Sequence, residues 1–360
     1  MFVSSTPSTP VASQATAPSP WQRVRAGLQN QLTILVLVLL DLYFYFGARN
    51  SLFFSSGEMK NLLVDFSGLV LLAIAETFVI ISGGIDLSVG ATGAVSGVIA
   101  AKVLNHYAPI IHTGHVMGLQ GLLVVGTLMC IAIGLIVGLI NAFLITIVGL
   151  VPFVATLVTL SAGFGYALVV SGGGGVGDFQ TTLSVWSSRG FSFFTYLDVA
   201  VLVVAVILAL VLRFARFGRY TYAIGSNPFA ARAAGINVRR HIALVYIVAG
   251  FLGGLVGMYF LIRLGSGFPT TGENVNLSAI ACVVIGGIAL TGGSGSVLGT
   301  LLGCAILTVL NDGLIAINVP PTWNQVVVGV IIMAAAGLQA LRGKLSLSKF
   351  FTSRSSGSSK

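Results

Sequence analysis

The chain has 360 residues, of which 56% are hydrophobic and only 8% charged, a balance that excludes an ordinary soluble domain. Its net charge of +9 would suit nucleic acid, but the positive residues gather at one expected face of a membrane and no aromatic-basic stripe accompanies them. Charge therefore reads as membrane topology and nucleic acid is excluded as a partner. The three cysteines, Cys130, Cys282 and Cys304, lie in apolar runs without metal-ligand spacing and read as packing residues.

Residues 1–28 open with Ser, Thr, Pro and Ala and lack the basic region and apolar core of a signal peptide, so a disordered cytoplasmic tail is expected. Arg23 and Arg25 precede the first apolar run and set the N-terminus inside. Ten spans follow, at about 31–48, 61–82, 87–105, 119–140, 151–171, 195–212, 241–262, 275–290, 295–311 and 324–341. The expected fold is an all-α polytopic membrane protein with a membrane domain over 29–345 and a second flexible cytoplasmic tail over 346–360. An even span count and the basic residues after Leu341 both place the C-terminus inside. Of the 46 glycines, the pairs Gly93/Gly97, Gly134/Gly138, Gly253/Gly257 and Gly299/Gly303 have the small-xxx-small spacing that lets membrane helices approach closely.

Two glycine-rich stretches interrupt the apolar pattern and resemble each other. Gly83 to Gly90 (GGIDLSVG) aligns with Gly286 to Gly293 (GGIALTGG) at five identities and one Ser/Thr match. Asn141-x-x-Leu144-Ile145 recurs as Asn311-x-x-Leu314-Ile315, each with a proline downstream. Two related halves with broken helices are expected, parallel or inverted being open at this point.

Ionisable residues within apolar spans demand a reason. Glu76 lies mid-span without a local partner and is a candidate for lining a path, bonding between helices or coupling to protons. Asp86, with Ser88, reads first as a cap for the helix restarting at Leu87 and second as a substrate contact. Asn141, Asn311 and Asp312 fall at span ends, where water or capping can satisfy them. Thr156 and Thr159 share one face of the span after Pro152, near Phe153, and could offer hydroxyls and an aromatic wall to a polyol. Back-bonding of those hydroxyls to their own helix is the alternative. His106, His112 and His115 share one loop and read as solvated residues, so no metal site is expected. Gly337 to Leu345 fails the phosphate-loop pattern, so any ATP is bound by another subunit.

The longest polar segment, 213–240, holds six of the 18 Lys and Arg residues. Within it Asn227 can cap a short helix, Pro228 suits its first position and Gly235 suits its end. Between them lie mostly alanines and one charge, Arg232, a smooth rod with two readings: an ordinary loop helix on the cytoplasmic side, or an element shaped to fit a cleft.

GGIDLSVG at 83–90, the Gly-x-Asn-x-x-Ala-Ala-x-x-Ala-Gly-Ile-x-Val string at 225–238 and GGIALTGGSGSVLGT at 286–300 together resemble the inner-membrane permease subunits of ribose-type ABC sugar importers, over roughly residues 60–340. The family's double proline after the first Asn motif is replaced here by Val151-Pro152, while Pro320-Pro321 stands near the second. The resemblance implies a permease that moves a pentose or hexose by alternating access, with an ATPase carrying two nucleotide-binding cassettes, a second permease copy or paralogue, and a periplasmic sugar-binding protein as partners. ATP and Mg would sit on the ATPase and no cofactor on this chain. Asn227, Pro228, Ala230, Ala231, Arg232, Ala234 and Gly235 would then form the coupling helix that docks on the ATPase. Glu76, Asp86, Asn141, Phe153, Thr156, Thr159 and Asn311 are the candidate path residues. The alternatives are a secondary transporter driven by ions or protons through Glu76, and an ABC importer of autoinducer-2, a nucleoside or a polyol.

Overall fold

A computed structural model describes residues 31–112, 119–179, 183, 187–323, 325–334 and 337. The expected tails, 1–28 and 346–360, lie outside the described residues, as do His115 and the failed phosphate-loop string beyond Gly337. The helices are α1 (Gln31–Arg49), α2 (Ser56–Ile81), α3 (Val89–His112), α4 (Leu119–Phe143, continued by a π turn at Leu144–Val148), α5 (Pro152–Ser171), α6 (Tyr196–Phe214), α7 (Arg216–Ser226), α8 (Pro228–Ala233), α9 (Val238–Leu264), α10 (Val275–Ile285), α11 (Val297–Ala316) and α12 (Gln325–Ala334). A small hairpin, β1 (Gly190–Phe191) with β2 (Phe194–Thr195), leads into α6. Among the described residues seven helices are long and apolar enough to span a membrane, and α10 and α12 are shorter apolar helices. The protein is a multi-pass helical membrane protein.

Two helices form the axis. Every residue of α2 from Ser67 to Ile81 is buried, as a helix apolar on all sides must be if it is to stay out of both water and lipid. Ser55 starts it by accepting from the Glu58 amide at 3.2 Å. Alongside runs α9, capped by Asn237, which accepts from the Arg240 amide at 2.9 Å. Its inner face is built of Ala249, Gly250, Gly253, Gly254 and Gly257.

Those small residues set the spacing of the bundle. Gly134 and Gly138 of α4 press on Gly250 and Gly254 of α9, while Gly93 and Gly97 of α3 press on Val256 and Gly257. A Cβ on Gly254 would stand 2.3 Å from the Cys130 carbonyl oxygen. All four glycine pairs expected from spacing face a neighbouring helix; Gly299 and Gly303 of α11 meet Gly286 and Cys282 around α10. The helices α1, α4, α5 and α6 surround this axis and turn Leu, Val, Ile and Phe side chains outward.

The breaks shorten what the sequence extends. The span expected at 275–290 ends as a helix at Ile285, and the next begins at Val297 instead of 295. With 11 residues α10 is about 16 Å long, half of a hydrocarbon core of about 30 Å. Helix α3 begins at Val89, two residues after the expected restart, because Leu87 and Ser88 are taken up in a turn.

Gly254→Ala should destabilise the protein by about 1–3 kcal/mol through overpacking against a backbone carbonyl. Gly165→Ala, where nothing lies within 4 Å, should leave thermal unfolding in detergent unchanged or slightly raised.

Candidate functional site

The polar loop between α6 and α9 is mostly helical. Ala215, in extended conformation, ends α6 and opens α7, a helix the sequence reading did not anticipate. Its buried face is Gly218, Thr221 and Ile224, and it is pinned to α9 where Thr221 Oγ1 and His241 Nε2 lie 2.9 Å apart. The Phe217 ring packs on the same imidazole at a centroid distance of 4.7 Å. All six arginines of the segment are exposed.

Helix α8 is punctuated as its sequence implies. Asn227 Oδ1 accepts from the amides of Phe229 and Ala230, both at 3.0 Å, and Pro228 occupies the first turn. At the other end Ala234 and Gly235, the latter at φ +83°, close the helix by bonds from Gly235 N to Arg232 O and from Ile236 N to Ala231 O, each 3.0 Å. Its surface differs from the expected alanine rod. Ala231 points inward and is buried against Ile224 and Val238, so it belongs to the loop's own small core. Phe229, which the sequence reading passed over, is 79% exposed. Leaving a phenyl side chain in water forgoes about 1.5–3 kcal/mol of burial. The available signal was a lone aromatic among alanines in an arginine-rich polar loop. Ala230, Arg232, Ala233 and Ala234 beside it are also exposed.

The second candidate lies inside the bundle at the first helix break. Bonds from Gly83 N to Ile80 O (2.9 Å) and Gly84 N to Val79 O (3.0 Å) close α2, with Gly83 at φ +89°. The chain then crosses to α3 through a polar chain. Asp86 Oδ1 accepts from Ser88 N at 2.8 Å and from Ser88 Oγ at 2.6 Å, closing a turn just before α3, while the first-turn amide of Gly90 is met by Asn276. Asn141 Nδ2 of α4 donates to Ser88 Oγ at 2.8 Å, and Thr159 Oγ1 of α5 donates to Asn141 Oδ1 at 2.8 Å. From α10, Asn276 donates to the Leu87 carbonyl and accepts from Gly90 N at 3.0 Å. Glu76 Oε2 accepts from Asp86 N at 3.5 Å, while Glu76 Oε1 is buried with no hydrogen-bond partner.

These positions correct the sequence reading in three places. Asn141 is only 1% exposed and is held by two side chains, so neither water nor end capping satisfies it. Thr156 and Thr159 do face the break, Thr156 Oγ1 reaching Ile85 O at 3.3 Å and Pro152 O at 3.0 Å, so that reach to the break and back-bonding coexist. Phe153 has its side chain 48% exposed while Thr156, one turn on, is fully buried and bonds the Phe153 carbonyl at 3.3 Å, so the ring is not enclosed with the hydroxyl as a pocket wall. Asn311 lies far along α11 and does not join the cluster; its Oδ1 is buried and unpartnered. Asn276 was missed because its partners are 186 and more residues distant in sequence.

At the second break Gly287 N bonds to Val284 O (3.0 Å) and Ile288 N to Val283 O (3.1 Å), with Gly287 at φ +87°. The two breaks thus share one closing motif, with Gly83 equivalent to Gly287, one residue from the alignment made on sequence. Both lie at the same end of the bundle, so the two helix-break-helix units run in the same direction. The opposite end carries a cleft of about 540 Å³ lined by Lys60, Asp65, Arg263 and Asp312, in which Arg263 is ion-paired with Asp65 and Lys60 Nζ donates to Ser188 O at 2.7 Å.

Residues 58–336 match a family described as the permease component of the branched-chain amino acid transport system. The chain belongs to this permease family. A galactose/methyl galactoside import permease of Haemophilus influenzae is 31% identical over 321 residues, covering 87% of this chain and 94% of that one. A ribose import permease of Bacillus subtilis is 38% identical over 306 residues, covering 84% and 89%. A fructose import permease of Rhizobium meliloti is 32% identical over 317 residues, covering 85% and 83%. The permease is therefore a multi-pass protein of the bacterial inner membrane.

Asn141 joins α4 to both Ser88 and Thr159, whose hydroxyls keep Asp86 Oδ1 and Thr156 O as partners, so the permease variant Asn141→Ala should lose about 1–3 kcal/mol from the two side-chain hydrogen bonds it breaks. Asn141→Leu should do no better despite filling the volume. Thermal unfolding in detergent checks both.

Proposed function

We propose that this permease is the membrane subunit of an ABC importer that carries a neutral monosaccharide into the cytoplasm by alternating access. The observation that carries the substrate class is near full-length similarity, at 31–38% identity, to import permeases named for galactose, ribose and fructose. What those three share is a neutral ring or chain of vicinal hydroxyls. A family described by branched-chain amino acids would suggest a zwitterion instead. The buried break offers such a ligand no free cation, since its polar atoms are carboxylates, amides and hydroxyls.

The α7–α8 end faces the cytoplasm in this reading. There α8 enters a cleft of an ATPase with two nucleotide-binding cassettes, which holds ATP and Mg; this chain hydrolyses nothing itself. Phe229 is the anchor and the short alanines around it admit close backbone approach. The opposite end receives sugar from a periplasmic binding protein, and a second permease copy or paralogue completes the path. Loose polar contacts suit a carrier that must release what it binds.

Phe229→Glu keeps α8 folded, because the side chain is outside, and should reduce copurification with the ATPase more than tenfold. Ala231→Glu should instead disrupt the Ile224–Val238 packing and lower the yield of folded permease. Retained assembly and uptake in Phe229→Glu would exclude α8 as the docking element.

Glu76 is fully buried, and its hydrogen bond among the described residues comes from the Asp86 backbone amide and not from another titratable side chain, an arrangement that supports a structural role over a proton relay. Glu76→Gln in proteoliposomes should therefore retain ATP-dependent uptake of radiolabelled sugar, whereas a proton-driven carrier would be silenced.

A further inference from the structure

Helix α8 has two routes to the membrane helices. One runs along the chain, into α6 and α9. The other runs sideways and is built of backbone. Gly225, two residues before the Asn227 cap, lies so close to the end of α2 that a Cβ there would be 1.8 Å from Ile81 O and 2.6 Å from Gly293 N. Gly293 N itself donates to Ile81 O at 2.9 Å, hydrogen-bonding the second break to the first. A Cβ on Gly292 would be 2.9 Å from Gly83 Cα and 3.1 Å from Gly225 O.

Two side chains of α7 fasten the contact. Tyr222 OH donates to Gly295 O at 2.8 Å and Ser226 Oγ to Gly293 O at 3.4 Å. Burial raises the Tyr222 phenol above its ordinary pKa, so it remains a donor at neutral pH. Gly225 is helical and has no positive φ, so turn geometry does not require glycine there; only the close approach does. Gly235, in contrast, has a left-handed φ and nothing within 4 Å.

We propose that Gly225, Tyr222 and the glycines of both breaks form a rigid junction that carries displacement of α8 directly into α2–α3 and α10–α11, with Gly225 and Tyr222 as positioning residues for coupling. The inference rests on α8 being the docking helix. Backbone packed on backbone has no rotamers with which to absorb a shift, unlike a contact through long side chains. Gly83 is three residues from Asp86, so displacement there reaches the chain of Ser88, Asn141 and Thr159 that fixes the start of α3. The second break moves with it through the Gly293–Ile81 bond.

The test uses the permease reconstituted in nanodiscs and in proteoliposomes with its ATPase and binding protein, comparing wild type, Tyr222→Phe, Gly225→Ala and the control Gly165→Ala. Radiolabelled D-ribose, D-galactose and D-fructose are the transport probes. Both junction variants should keep the ATPase bound, because the α8 surface is untouched, yet import several-fold less sugar per ATP hydrolysed. Hydrogen exchange supplies a second readout. Nucleotide binding should alter exchange at residues 82–90 and 286–296 in the wild type, less in Tyr222→Phe and least in Gly225→Ala. Wild-type sugar per ATP and wild-type exchange changes in Tyr222→Phe and Gly225→Ala would overturn the junction. Should Gly225→Ala fold poorly, Tyr222→Phe decides alone, since it removes one hydroxyl and no volume. A wild-type permease that never binds the ATPase would instead refute the docking role of α8, so the two failures are separable.

Discussion

A helix that stops inside a bilayer leaves backbone donors and acceptors where no water can satisfy them, and each must find a partner within the protein. The break between α2 and α3 meets that demand with residues from three other helices, α4, α5 and α10. Asp86 closes a turn on Ser88, Asn141 and Thr159 extend the chain of bonds outward, and Asn276 holds the Leu87 carbonyl and the Gly90 amide. The surrounding helices are consequently registered to one another by a single interrupted segment. Glu76 sits beside it with one oxygen bonded and one not, the least satisfied atom of the arrangement.

That registration would fail if the helices could not come close. The glycine faces of α3, α4 and α9 bring backbones into contact, and short polar side chains such as Ser88, Asn141 and Thr159 can then reach one another at 2.8 Å. Small residues and the polar chain are therefore two parts of one solution. The same economy appears at the end of the bundle, where α7 lies on the breaks through the Gly225 backbone and is fastened there by Tyr222 and Ser226. A bundle with bulkier contacts would be softer, and an external push on α8 would dissipate in side-chain rearrangement before reaching α2.

The features legible in the sequence were those with local causes. Asn227, Pro228 and Gly235 bound α8 within one residue because caps depend on neighbours in the chain. The paired Gly-Gly breaks were visible for the same reason, although their equivalence shifts by one residue once the closing bonds define it. Illegible were features set by which side of a helix meets another. Ala230 and Ala231 are identical in chemistry, yet one is exposed and the other packs on Val238, while Phe229 between Pro228 and Ala230 turns fully outward. Helix α7 escaped notice because its glycines and tyrosines have weak helical preference, and its stability comes from resting on α9 and the breaks.

By itself the sequence determined a helical multi-pass membrane protein, its breaks, the caps of α8 and its membership of a permease family, because length, hydropathy and capping act over a few residues at a time. Only the tertiary structure decided that Asn141 is a buried clamp, that Phe153 and Asn311 stand apart from the break, and that Gly225 touches both breaks at once. Those facts depend on distances between segments tens to hundreds of residues apart, which the packing of α2 and α9 fixes and no local pattern encodes.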